Sequence, residues 1–125
     1  MNRVGQRGER GAASLLVSAA VALAMVITAV GLLAGVFAAA QRDAANAADL
    51  AALSGASVYS RGGSACEVAA RIAAENGAHL ASCRVSGDSF DFVVAVSVDH
   101  RLALPLGLAP TVRASAEAGR LEPLQ

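Results

Sequence analysis

The first third of the chain is dominated by one uninterrupted apolar run. Residues 12–40 contain no charged side chain, and as a helix they would be about 43 Å long, more than the ~30 Å hydrocarbon core of a bilayer requires. The preceding residues, 1–11, are rich in arginine, whereas Arg42 and Asp43 balance each other after the run. The positive-inside rule therefore predicts a single-pass protein of the cell membrane, with a basic cytoplasmic leader and an extracytoplasmic C-terminal part.

The end of the apolar run allows a second interpretation. Residues 38–40 are three alanines, which fit the A-x-A pattern of a signal-peptidase site. Cleavage after Ala40 would release a small secreted binding protein. However, the run is about twice as long as the 7–15 apolar residues of a usual signal peptide, which favours an uncleaved anchor.

Helix-forming residues continue beyond the membrane segment. They fill residues 41–54 and predict a helix extension outside the membrane. Within it, Ala44, Ala48 and Ala52 recur every four residues, a stripe that suits close packing against another helix. A break is expected at the Ser54-Gly55 pair, so that residues 55–63 form a linker.

Two glycines inside the apolar run have a spacing with structural meaning. Gly31 and Gly35 form a G-x-x-x-G pair, which exposes the backbone on one helix face and lets a second helix approach closely. Small residues are common in membrane helices, so this spacing alone does not establish a dimer face. It leaves open a third interpretation, a membrane-anchored accessory protein that binds another membrane helix.

The remaining residues, 64–122, predict a small extracytoplasmic α+β domain that begins with a short helix. Ser64 and Glu67 have the spacing of a capping box, and Asn76-Gly77 supplies a left-handed helix end. Val68 and Ile72, with the alanines between them, are expected to form its buried stripe.

Period-two alternation follows the short helix and predicts strands. Two alternating segments separated by the turn sequence SGDS predict an antiparallel hairpin. Their expected inward positions are Ala81, Cys83, Val85, Phe90, Phe92, Val94, Val96 and Val98. Two prolines predict a crossover loop at residues 102–110, and residues 111–119 predict a third strand. The predicted fold class is α+β: a long transmembrane helix that continues outside the membrane, a short helix and a three-stranded antiparallel sheet.

The two cysteines, Cys66 and Cys83, are placed to form a disulfide. Cys66 lies in the first turn of the short helix and Cys83 in the next strand. The helix descends ~15 Å after Cys66 and the strand climbs ~13 Å to Cys83, so both reach similar heights. An extracytoplasmic location favours the oxidised pair over free thiols, and a metal site with His79 would lack a fourth ligand.

Composition and motifs limit the other function classes. Ten basic and ten acidic residues give a net charge of zero, which argues against a nucleic-acid partner. The sequence contains no nucleophile and base in a recognised context, no phosphate-binding loop and no histidine pair with metal-ligand spacing. We therefore expect neither an enzyme nor a bound cofactor or metal.

Several segments together resemble a known family. Four features resemble the TadE/TadG-like pseudopilins of the tight-adherence (Flp) pilus and secretion machinery: a basic N-terminal tail, an Ala-Val-Leu membrane helix, the segment QRDAANAADLAALSGA, and the pair Cys66 and Cys83, the second of which ends the segment NGAHLASC. The likeness is greatest to the short actinobacterial TadE-like proteins, and it extends over residues 10–123.

The resemblance implies a role in assembly rather than catalysis. It implies a membrane-anchored, pilin-like subunit whose partners are other pilin-like or secretion-system membrane subunits. It also implies leader cleavage after a glycine by a prepilin peptidase, for which Gly8 and Gly11 are the candidates. Neither glycine is followed, five positions on, by the glutamate that pilin precursors carry inside the apolar run.

Overall fold

The computed structural model describes residues 3–121, and their side chains from Glu9 onward. Its elements are helix α1 (Arg3–Tyr59), helix α2 (Ala65–Glu75), strands β1 (His79–Gly87), β2 (Phe92–Arg101) and β3 (Thr111–Arg120), and a short 3₁₀ turn at Pro105–Gly107. The three strands form one antiparallel sheet in the order β1-β2-β3. The predicted α+β class, with a long helix, a short helix and this sheet, is therefore confirmed.

The chain divides into two compact units, Met1–Phe37 and Ala38–Gln125. The described part of the first unit is helical throughout. The second unit contains the last part of α1 together with α2 and the sheet.

Helix α1 is longer than the sequence indicated at both ends. It begins at Arg3, within the predicted leader, and ends at Tyr59, so the predicted linker at residues 55–63 is wrong in its first half. Gly55 stays helical because it allows a close approach: a Cβ there would lie 3.0 Å from the Ala65 carbonyl oxygen and 3.5 Å from Val94 Cγ1. Tertiary packing thus overrides the weak helix propensity of glycine.

The ends of helix α2 were only partly predicted. Its N-cap is Ser64, but the Ser64 side chain makes no capping hydrogen bond, so the predicted capping box is wrong. The C-terminal stop is confirmed: Gly77 has φ of 75°, and the N–H groups of Gly77 and Ala78 donate to the carbonyls of Ala74 and Ala73. This is the Schellman arrangement, which pairs carbonyls that the helix end would leave free.

Strand β2 follows the predicted alternation, whereas its neighbours deviate locally. Phe92, Val94, Val96 and Val98 are all buried, but Phe90 is exposed because it belongs to the turn before β2. In β1, a register shift between Leu80 and Ser82 reverses the alternation, so that Leu80 packs on the core and Ala81 is exposed. The bulge accommodates the extra residue.

The connection between β2 and β3 is a hairpin rather than the predicted crossover loop. The two strands are neighbours paired antiparallel, up to Arg101 opposite Thr111. Two further backbone hydrogen bonds continue the ladder, from the Leu102 N–H to the Pro110 carbonyl and from the Leu104 N–H to the Leu108 carbonyl. The prolines fit here because this part of the ladder does not need their N–H groups.

The core of the second unit joins a helix face of alanines to a sheet face of larger residues. The alanine side extends the stripe predicted at Ala40, Ala44, Ala48 and Ala52 and adds neighbouring positions on α1. Helix α2 contributes Ala65, Ala69 and Ala73, whereas Val68 and Ile72 are only half-buried. The buried α1 residues are Ala40, Ala44, Ala47, Ala48, Ala51, Ala52 and Ala56. Small side chains allow the helix to approach the sheet closely.

Candidate functional site

The first candidate surface is the apolar part of α1. Within residues 9–59, one helical segment is long and apolar enough to cross a membrane, and its most apolar stretch is exposed. Two of the three hydroxyls in residues 12–40 are bonded inside the helix: Ser18 donates to the Ser14 carbonyl at 2.9 Å and Thr28 to the Ala24 carbonyl at 2.8 Å. A helix whose backbone groups bond internally and whose apolar side chains are exposed is suited to hydrocarbon surroundings.

Gly31 and Gly35 lie on this exposed segment. A Cβ atom at either position would meet no described atom within 4 Å, so none of the described residues requires glycine there. The predicted approach of another helix to this face requires such an uncovered surface.

The alanine stripe of the sequence has a different place. Ala44, Ala48 and Ala52 are each fully buried in the core that α1 shares with α2 and the sheet. The surface against which these alanines pack is therefore the core of the same chain. Their spacing indicated close packing correctly, but a single sequence does not show whether the packed surface is a helix or the chain's own sheet.

Two contacts fix the direction of α1 across the sheet. The Gln41 side-chain amide donates to the Arg113 carbonyl at 3.3 Å, at one end of the β2–β3 pair, where Arg113 lies opposite Asp99. At the other end, the rings of Tyr59 and Phe92 lie 4.8 Å apart. This part of α1 is therefore antiparallel to β2, and the turn that connects β2 to β3 lies at the Gln41 end of the contact.

The predicted disulfide is confirmed. Cys66 in α2 and Cys83 in β1 are bonded, with their Cα atoms 5.7 Å apart. The bond joins the short helix to an outer strand of the sheet, and α1 is not crosslinked.

The outward face of the sheet carries the polar groups of the second unit. Arg113 donates to both carboxylate oxygens of Asp99, at 2.7 and 3.0 Å, and Ser115 donates to Ser97 at 3.2 Å. The Arg113 hydrogen bonds lower the pKa of the Asp99 carboxyl and raise that of the Arg113 guanidinium. These groups satisfy one another across neighbouring strands, a pattern of sheet stabilisation rather than of a reactive site.

The turn between β1 and β2 is held by Asp88. Its Oδ1 accepts hydrogen bonds from the N–H groups of Asp91 and Phe90, both at 2.9 Å. These bonds lower the pKa of the Asp88 carboxyl from its ordinary value of 3.8. Because the folded-state pKa is depressed, the resulting stabilisation is present above that ordinary value and is lost as the pH falls through the folded-state pKa.

The Asp88→Asn variant is expected to make stability less dependent on acid pH. An amide oxygen can accept the same two hydrogen bonds but does not titrate. Thermal unfolding of the reconstituted chain, followed at about pH 5 and about pH 2, should show a smaller decrease in Tm for the variant than for the wild type. Equal decreases would show that the Asp88 carboxylate does not contribute to the acid sensitivity.

Within the described residues, no group of three or more His, Cys, Asp or Glu side chains is placed to hold a metal ion. The two histidines serve the ends of strands: His79 begins β1, and the His100 Nδ1 lies 3.0 Å from the Gly77 carbonyl. A groove of about 390 Å³ between α1 and α2 is lined by Leu53, Val58, Ile72 and neighbouring residues. It brings together apolar side chains, the hydroxyls of Ser54 and Ser57 and two arginines, and its lining residues include no carboxylate or imidazole that could act as a general base for the serines.

Comparison with protein-family models, with curated proteins and with solved structures finds no match to this chain. The resemblance to TadE-like pseudopilins therefore remains a prediction from the sequence. Of the two candidate cleavage positions, Gly11 lies in α1, and a Cβ atom there would meet no described atom within 4 Å. The surroundings of Gly8 lie outside the described residues, as does Glu122 at the end of the predicted domain.

One surface feature was not predicted from the sequence. Leu106, between two strands, has 97% of its surface exposed. The available signal was a nine-residue uncharged segment, LALPLGLAP, in a connection where polar residues are usual.

Proposed function

We propose that the chain is a membrane-anchored, pseudopilin-like structural subunit of a Tad/Flp-type pilus or secretion machinery. Its N-terminus lies in the cytoplasm, and its α+β domain lies on the other side of the membrane. The proposal rests on helix α1, which has an exposed apolar stretch and then supplies seven core alanines to a disulfide-bonded domain.

This use of one helix supports a structural role. Residues 12–40 provide the apolar length that a bilayer requires, and the segment from Ala40 to Ala56 is buried along one face by the sheet. The membrane anchor and one side of the domain core are then parts of one helix, α1. This arrangement suits the side-by-side assembly of subunits in a membrane. The resemblance to TadE-like proteins adds the kind of assembly in which the subunit acts.

The partners that follow are membrane proteins of the same machinery. Gly31 and Gly35 offer a face to which another helix can pack closely, since no described residue covers them. A prepilin peptidase is the expected processing enzyme for Gly8 or Gly11. Nucleic acid is not an expected partner because the net charge is zero.

Deletion of the gene in its host is expected to abolish surface pili or secretion by the associated machinery. Three forms of the chain then separate the alternatives: the wild type, the double variant Gly31→Ile/Gly35→Ile, and a chain that begins at Gln41 behind a cleavable signal. The wild type should restore assembly and the form starting at Gln41 should not. Unchanged assembly and secretion after deletion would contradict the proposal.

N-terminal sequencing of membrane and medium fractions distinguishes the remaining interpretations. A start just after Gly8 or Gly11 in the membrane fraction supports processing as a pilin-like subunit. A start at Gln41 in the medium would identify a secreted binding protein instead. If the glycine double variant folds but loses a co-purifying membrane protein, Gly31 and Gly35 form the partner-binding face.

A further inference from the structure

The β2–β3 hairpin ends in an apolar tip, residues 102–110, whose outermost leucines are exposed. This hairpin tip contains four leucines, two prolines and no charged residue. Leu106 is 97% exposed and Leu108 is 60% exposed. Side chains of this size at the end of a hairpin contribute almost nothing to the core of their own domain.

The backbone at the tip is also unusual for the residue it carries. Leu106 has φ of 68° and ψ of 21°, and the following Gly107 has φ of 74°. Two successive positive φ values are typical of tight hairpin turns, which favour Asn, Asp or Gly at both positions. A leucine in this conformation is strained, and since its side chain is exposed, folding of the domain does not explain why leucine is there.

The hairpin tip lies at the same end of the domain as Ala40, the last residue of the apolar run. Gln41 contacts Arg113, and from Arg113 and its partner Asp99 the hairpin continues away from the Phe92 end of the sheet. The last residue of the apolar run in the sequence is Ala40, directly before Gln41. If the run spans a bilayer, the lipid surface lies near this end of the domain.

The backbone polar groups of the hairpin tip are suited to a lipid interface. The N–H groups of Leu102 and Leu104 are bonded across the hairpin, and Pro105 and Pro110 have no N–H to satisfy. Unpaired backbone N–H groups oppose the transfer of a loop into apolar surroundings. At these four of the nine positions in the hairpin tip, no unpaired N–H group remains. Arg42 and Arg101 are exposed near this end and can bind lipid phosphates.

We propose that the hairpin tip inserts Leu106 and Leu108 into the interface of the bilayer that α1 spans. The partner is a phospholipid surface, which the uncharged leucines and the flanking arginines complement. This inference rests on the proposed membrane anchoring, to which it adds a second lipid contact made by the folded domain. The strained Leu106 then serves to bind lipid and not to fold the domain.

Tryptophan fluorescence tests the proposal on the full chain. The sequence contains no tryptophan, so Leu106→Trp and Leu108→Trp each introduce a single reporter. Phe90→Trp is the matched control, because Phe90 is 75% exposed in the turn at the opposite end of the sheet. Each variant is reconstituted into phosphatidylcholine vesicles with or without bromine atoms on the upper part of the acyl chains.

The reporters in the hairpin tip are expected to lose most of their fluorescence in brominated vesicles and to emit at shorter wavelength than the Phe90→Trp control. The control should keep its fluorescence. In the double variant Leu106→Asn/Leu108→Trp, quenching should decrease while the Tm stays at or above that of Leu108→Trp, since asparagine tolerates positive φ.

Flotation of the same vesicles separates the two proposals. If the chain floats with lipid and resists carbonate extraction but neither hairpin reporter is quenched, the hairpin proposal is overturned and the anchor stands. If the chain does not float, the membrane anchoring itself fails. A third result is emission of the hairpin reporters at short wavelength that the brominated lipids quench only when each nanodisc holds one copy of the chain. That result would show that a second copy normally covers the hairpin tip and that lipid is not its partner.

Discussion

Replacing both Cys66 and Cys83 with serine is expected to lower the free energy of unfolding of the second unit by about 3 kcal/mol. The disulfide closes a loop between residues 17 positions apart, and in the chain-entropy model a loop of this size restricts the unfolded chain by that amount. For a domain of this size the decrease corresponds to a Tm lower by roughly 10–20 °C. Thermal unfolding of the chain in nanodiscs, followed by circular dichroism through the transition, measures this decrease in Tm.

The reduced wild type provides the control for this prediction. A non-thiol reductant should lower the Tm of the wild type to that of the double serine variant, and should not change the Tm of the variant. A variant as stable as the oxidised wild type would show that the bond does not restrict the unfolded chain. If the variant is much less stable than the reduced wild type, serine in the half-buried Cys66 and Cys83 positions is the cause instead.

The Ala48→Leu substitution is expected to destabilise the same unit by about 1–3 kcal/mol through overpacking. Ala48 is fully buried, and a leucine there has no space between α1 and the sheet unless the helix moves outward. Such a movement would weaken the neighbouring contacts, including the hydrogen bond from Gln41 to Arg113. Chemical denaturation of the reconstituted chain gives the free-energy difference.

Asn46→Leu is the matched control, because Asn46 lies on the exposed side of the same helix and should tolerate leucine with little change. The comparison also tests the corrected role of the alanine stripe. If Ala48→Leu left stability unchanged but removed a co-purifying subunit, the alanines would face a partner helix, contrary to their burial in the structure.

Much of the fold could be predicted because local sequence and tertiary structure agree. The left-handed stop at Gly77 depends on one residue type and its neighbours, and the buried face of β2 follows from the period-two recurrence of large apolar residues from Phe92 to Val98. The disulfide followed from counting the rise of a helix and a strand between Cys66 and Cys83. Each of these features is determined within about twenty residues of chain.

The features that could not be predicted depend on contacts between distant residues. Gly55 appeared to end α1, but its lack of a side chain lets the Ala65 carbonyl approach. The bulge near Ala81 depends on the pairing of β1 with β2, which periodicity alone cannot reveal. For the alanine stripe, the pattern identified a packed face without identifying the surface that covers it.

The regular spacing of the alanines on α1 has a consequence for the alignment of the helix. Ala40, Ala44, Ala48, Ala52 and Ala56 are identical and evenly spaced, so a shift of about one helical turn, ~6 Å, would place alanine where alanine had been. The stripe therefore holds the helix against the sheet without defining how far along it the helix lies. That position is defined by residues that do not repeat: Gln41 at one end of the contact, Tyr59 at the other, and Gly55 beside Ala65.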